Sequence, residues 1–131
     1  MAVTLDEVTE FLYGGGEVVH GWADDRGELV QAAEQRFPGK AFCLVKRWII
    51  VEIPANEVEP LPDGIAPMIV LAHEVIYDSR GRFVPGCWVR STYAISHEHP
   101  WIFETRNTVY LLIGDGYKKQ ASLEMVLSFR P

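Results

Sequence analysis

His97 and His99 stand two residues apart around Glu98, and Pro100 closes the segment. On a strand the two imidazoles would project to one face and could meet a single divalent cation. A working centre needs at least one more ligand, and His73, Glu74 and Glu104 are the plausible donors nearby in sequence. That set would support metal-dependent hydrolysis. The closing proline reads more naturally as an exposed loop, so neither a metal nor another cofactor is expected. Cys87 or the hydroxyls of Ser91, Thr92 and Ser96 offer nucleophiles beside these histidines. No nucleophile-elbow spacing frames them. Cys43 and Cys87 lie in the apolar strings FCLV and GCWV, where cysteine behaves as a small hydrophobe. A protein without enzymatic activity is the expectation.

A second constellation is Arg80, Arg82, Arg90 and Arg106, interleaved with Trp88, Tyr93 and Trp101. Arginine among aromatic rings suits both single-stranded nucleic acid and the hot spots of protein interfaces. The same arginines could instead pair with Asp78, Glu74 and Glu104 along strand edges. A third set is acidic, with Asp24, Asp25 and Glu28 at the start of a helical pattern. Most such faces serve solubility, but this one could also meet a basic protein surface.

The charge is unevenly placed. Residues 1–63 carry 12 acids and 5 bases, whereas residues 64–131 carry 6 and 7, within a net charge of −6. This balance disfavours nucleic acid as the main partner and favours another protein. Apolar runs such as 68–72 and 109–113 fall far short of the ~20 residues of a membrane helix. The acidic, amphipathic start has no secretion-signal pattern, so a cytoplasmic protein with reduced cysteines is expected.

The elements that must position these residues follow from local pattern. Thr4 and Glu7 form a capping box ahead of Leu5, Val8, Phe11 and Leu12, which predicts a helix over 5–13. Gly14–Gly16 lacks the preceding strand and following Gly-Lys of a phosphate loop and reads as a connector. A second helix is predicted over 25–36, with its acids at the positive dipole end. The string 40–53 reads as a strand buried on both faces at its start and bent at Lys46-Arg47. Further strands are expected at 68–77, 82–84, 87–95, 101–104 and 108–113, with turns at 78–81 and 105–107. Gly114-Asp115-Gly116 suggests a hairpin. The alternation from Ala121 to Phe129 favours a last strand, with a short helix after Ser122 as the alternative. The sum is one α+β domain, two N-terminal helices on a curled antiparallel sheet or small open barrel of five to six strands.

The strings DSRGRF (78–83), GCWVRST (86–92) and FETRNTVYLL (103–112), with RFPGK at 36–40, cover most of residues 29–123. In these the chain resembles an uncharacterised family of small bacterial and prophage-borne proteins. The resemblance implies an accessory protein of bacteria or their viruses and transfers no functional residue. Together these readings point to a protein-binding module acting on a host complex, such as a defence or nucleic-acid-handling assembly. There the acidic helices and the proline-rich loop 54–67 could stand in for phosphate. Nucleic-acid binding through the arginine set is the second expectation.

Overall fold

The computed structural model describes residues 3–129, with all their side chains except those of Ser96, Glu98 and His99. Its axis is β2, Ala41–Glu52, in which Val45, Trp48, Ile50 and Val51 are wholly buried. β-branched and aromatic residues suit a strand packed on both faces. Along one edge β2 pairs antiparallel with β3, Met68–Asp78, from Cys43–Asp78 to Glu52–Met68. Along the other edge it takes two strands in succession, both parallel to it. These are β7, Thr108–Ile113, beside its first half, and β8, Gly116–Gln120, beside its second.

The remaining strands extend the two flanks. β1, Glu17–Val19, joins β8, and β4, Val89–Arg90, joins β3. β5, Ala94–His99, pairs with β6, Ile102–Thr105, which pairs with β7. The eight strands form one open sheet. It curls until Ala94 meets Ala66 in a single bridge, with no continuous ladder to close it.

The α+β class and the mostly antiparallel sheet are as expected. The sheet has eight strands in place of five to six, a third helix is present, and several details differ. The parallel pairings of β2 need no regular helical crossover, because the chain returns through β3 to β6 before laying down β7. Gly114-Asp115-Gly116 is not a hairpin, since it links two strands that run the same way along β2. The last segment turns into α3, Leu123–Leu127, because the Ser122 hydroxyl accepts from the Met125 amide and caps a helix. Residues 82–84 stay outside the sheet, and the strand expected over 87–95 breaks between Arg90 and Ala94. There the Ser91 hydroxyl accepts from the Val70 amide in place of a ladder bond.

The predicted helices stand where the caps put them. α1 is Leu5–Tyr13, capped by Thr4, and α2 is Arg26–Arg36, capped by Asp25. The inside of the curl holds Trp48, Phe103, Tyr110 and Leu112. Outside, α1 and α3 cover the β2–β3 half through Phe11, Leu12, Val126 and Phe129. α2 covers the β2–β7 half through Leu29 and Ala33. Among the described residues no helix is long and apolar enough to cross a membrane.

β2 bends at Lys46-Arg47, as expected from that charged pair within an apolar run. Arg47 has φ +52°, in the left-handed region that costs an L-residue about 1–2 kcal/mol. From Lys46 to Ile49 β2 advances three residues while its neighbours advance four, from Ile113 to Tyr117. The surplus is absorbed at Gly114, φ +69°. The Trp48 indole N–H donates to the carbonyls of Ile113 and Gly114, each at 3.2 Å, and fixes the bulge.

Candidate functional site

The four arginines of the second constellation are divided. Arg82 is fastened to the buried carboxylate of Asp78 at 2.7 Å and donates to the Thr108 hydroxyl at 2.9 Å. Burial raises the Asp78 carboxyl, but hydrogen bonds from the Arg82 side chain and amide outweigh it and hold it below the usual carboxylate range. Arg90 donates to the carbonyls of Val126 and Phe129 and so closes the end of α3. Arg80 donates to the Gly39 carbonyl, and Arg106 is exposed on a turn locked by Thr105 and Thr108.

Three of the four therefore meet at one end of the sheet. The β2 start pairs with the end of β3 and the start of β7, which collects Arg80, Arg82 and Arg106 beside Lys40. Lys40 is paired with Glu104 at 2.7 Å. This end is basic on an acidic protein. Arg90 and Trp88 lie elsewhere, against the α1–α3 layer, and Trp101 packs edge-on against Trp22 beside α2.

The acidic set is exposed at the start of α2. Asp25 has structural work there, because its carboxylate accepts from the Glu28 amide and its carbonyl from the Trp22 indole. His97 lies in β5 and not in a loop, with its half-buried ring 5.6 Å from Phe103 and its pKa lowered by burial. The side chain of His99 is outside the described residues, so the two-histidine arrangement is too. Among the described residues no three His, Cys, Asp or Glu side chains converge. Burial pushes the Cys43 thiol up to about 12, as befits a core residue.

A concavity lies elsewhere, at the bend of β2. A trench crosses β3, β2 and β8 beside the last turn of α1, in two adjoining hollows. The larger, about 330 Å³, is floored by Leu71 and Ala72 and ends at Trp88 and Phe129. The smaller, about 230 Å³, is lined by Trp48 and Ile49 of β2 and ends at Asp115 and Tyr117. Leu12, Tyr13, Arg47 and His73 border both hollows.

Each part of that saddle is placed by a local cause. Arg47 and His73 lie opposite one another between the pairs Lys46–Glu74 and Trp48–Ala72. The left-handed backbone of Arg47 leaves its side chain 66% exposed. Glu74 accepts from Arg47 at 3.0 Å and from Lys46 at 3.2 Å, contacts that hold its carboxyl below the usual range. His73 meets the Tyr13 ring at 5.2 Å, and Lys119 donates to the carbonyls of Phe11 and Gly14.

A family model for a domain of unknown function, DUF6957, matches residues 20–128. The chain belongs to that family. No curated protein matches it, and no solved structure does. The floor of the trench and both saddle residues fall inside the DUF6957 region, whereas the wall supplied by α1 falls outside it. The resemblance seen in the sequence is thus to an uncharacterised family, and much of its signature is fold chemistry. Asp78, Arg82, Thr105 and Thr108 of those strings bond one another.

Nothing in the string marks Arg47, Tyr13 and Tyr117 as neighbours on one rim, and His73 stands out there only as a possible metal donor. Alternation cannot reveal a left-handed arginine, and the joining of α1 to β3 is tertiary. The one available signal was a charged pair interrupting an otherwise apolar strand.

Proposed function

We propose that this protein is a non-enzymatic protein-binding module that docks a partner in the trench at the bend of β2. The observation carrying this reading is the composition of the rim. Tyr13 is 75% exposed, Tyr117 36% and the Arg47 side chain 66%, with Trp88 at one end. Tryptophan, tyrosine and arginine are the residues enriched where interfaces concentrate their binding energy. Exposed aromatic rings around a concave site offer a partner apolar surface to bury. An accessory role on a host complex, in bacteria or their viruses, and action in the cytoplasm belong to the same proposal. The two free thiols, Cys43 and Cys87, suit a reducing compartment.

Co-purification on immobilised full-length chain tests the reading. The Tyr13→Ala/Tyr117→Ala variant is expected to lose a partner that the wild type retains. A variant with Asp24, Asp25 and Glu28 changed to Lys is expected to keep it. The reverse pattern would move the interface to the acidic face of α2.

A second reading, nucleic-acid binding, is favoured by the gathering of Arg80, Arg82 and Arg106 at one end. It calls for retention of single-stranded probes that weakens steeply with salt and is lost on Arg80→Glu/Arg106→Glu. No retardation at low salt would dispose of it.

A further inference from the structure

We propose that the trench takes a short acidic segment of the partner, in which two large apolar side chains flank an aspartate or glutamate. The proposal rests on the docking role given to the trench above and names the occupant. Its first support is local charge. On the saddle two bases, Lys46 and Arg47, share a single acid, Glu74. One positive charge is left over, on a guanidinium that engages Glu74 through one terminal nitrogen. The planar fork has further N–H donors, so it can also take a carboxylate of the partner. The carboxylate of Asp115, hydrogen-bonded to His20 at 2.9 Å, stands at the far end of the smaller hollow, so the positive charge is local to the saddle.

The second support is shape. The hollows lie on either side of Arg47 and His73, and the partly exposed apolar residues lining them are Leu12 and Trp88 in one and Tyr13 and Tyr117 in the other. From β3 across β2 to β8 is two strand spacings, roughly 10 Å, the reach of about three extended residues. An anchor in each hollow therefore leaves room for one or two residues above the saddle, and an acid there meets Arg47. The third support is the backbone. A left-handed conformation is cheaper for glycine, so an arginine kept there marks its side chain as useful.

The test is selection of a random-peptide phage library on the full chain, followed by affinity measurement with the selected peptides. Enrichment of two large apolar residues around an acid is expected. Arg47→Gly, which retains the bend, is expected to weaken those peptides roughly tenfold, the scale of one charge-assisted hydrogen-bonded pair. Changing the peptide acid to its amide should cost the same, with little further loss in the double change. Selected peptides that lack an acid, or that bind Arg47→Gly unchanged, would overturn the proposal. If such peptides still fail on Tyr13→Ala, the trench keeps its docking role and only its acidic occupant falls. No enrichment, or enrichment indifferent to both variants, would sink the two together.

Discussion

His73 of β3 donates from Nε2 to the carbonyl oxygen of Leu12, 3.1 Å away, and ties the family region to a helix outside it. A carbonyl only accepts, so this contact fixes the imidazole tautomer with its proton on Nε2. Lys119 makes the same kind of bond to the carbonyls of Phe11 and Gly14. Two side chains thus satisfy the end of α1, where the helix dipole favours positive charge. No residue of α1 is fully buried, so its attachment leans on these bonds and on the stacking of Phe11 against Phe129 at 5.5 Å.

That attachment should weaken in acid. Burial lowers the pKa of His73 below its ordinary 6.5, the Leu12 bond opposes this, and the charges of Arg47 and Lys119 add to the lowering. The unfolded chain therefore takes the proton first as pH falls. Stability contributed by neutral His73 is present above pH 6.5 and is lost as pH drops through the folded value. His97, also lowered by burial, contributes with the same sign, so the variant comparison matters. His73→Gln is expected to show a shallower loss of stability below pH 6.5 and less acid-sensitive hydrogen exchange in α1. Superimposable pH profiles would remove His73 from this role.

Asp78 and Arg82 should behave as a unit. The Asp78 side chain is wholly covered and takes three bonds from Arg82, two from the guanidinium and one from the amide. Asp78→Asn leaves the guanidinium uncompensated and is expected to cost about 3 kcal/mol in urea unfolding. Asp78→Asn with Arg82→Met should recover part of that cost, because the unpaired charge goes too. The stability that the carboxylate supplies is present above its ordinary pKa of 3.8 and is lost as pH falls through its depressed folded value. Additive losses in the double variant would show that the pair is not coupled.

Gly116 should tolerate no side chain. It opens β8 directly beneath Trp48, and an added Cβ would overlap both the indole ring and the Trp48 carbonyl oxygen. Trp48 is fully buried and holds the bulge through Ile113 and Gly114, so it has little freedom to retreat. Gly116→Ala is expected to lose about 2–3 kcal/mol, the cost of overpacking a filled core. Gly15→Ala, with open space around its position, is the control and should lose far less. Equal melting of the two variants would mean that the Trp48 contact yields easily.

What the sequence could convey here is what depends on neighbours in the chain. Thr4 and Asp25 announced their helices because a cap is a contact across three residues. The buried alternation at the start of β2 was equally plain, with Leu44 facing α2 and Cys43 and Val45 facing the inside of the curl. The parallel placement of β7 and β8 was hidden, since it depends on a return path of more than fifty residues from β2. The divided arginines were partly hidden for a related reason. Arg82 and Arg90 look alike in the string, but Arg82 answers to Asp78, a partner four residues away that the string does offer. Arg90 answers to α3, which only the folded chain brings to it.

Arg47 supplies the sharpest test of why the bend exists. In an ordinary strand, alanine is more stable than glycine by roughly 0.5–1 kcal/mol, because glycine loses more freedom on folding. At φ +52° that order should invert, since alanine retains the left-handed penalty of about 1–2 kcal/mol and glycine does not. Both substitutions remove the guanidinium and its exposed pair with Glu74, a contact worth little in water, so their difference isolates the backbone. Arg47→Gly is therefore expected to unfold about 1 kcal/mol above Arg47→Ala, a melting difference of roughly 4 °C. A glycine variant that matches the wild type in stability would also show that folding does not require an arginine here, leaving the exposed guanidinium as the reason for one. Alanine above glycine would mean that the bend relaxes when the side chain is removed, and the strain argument would go with it.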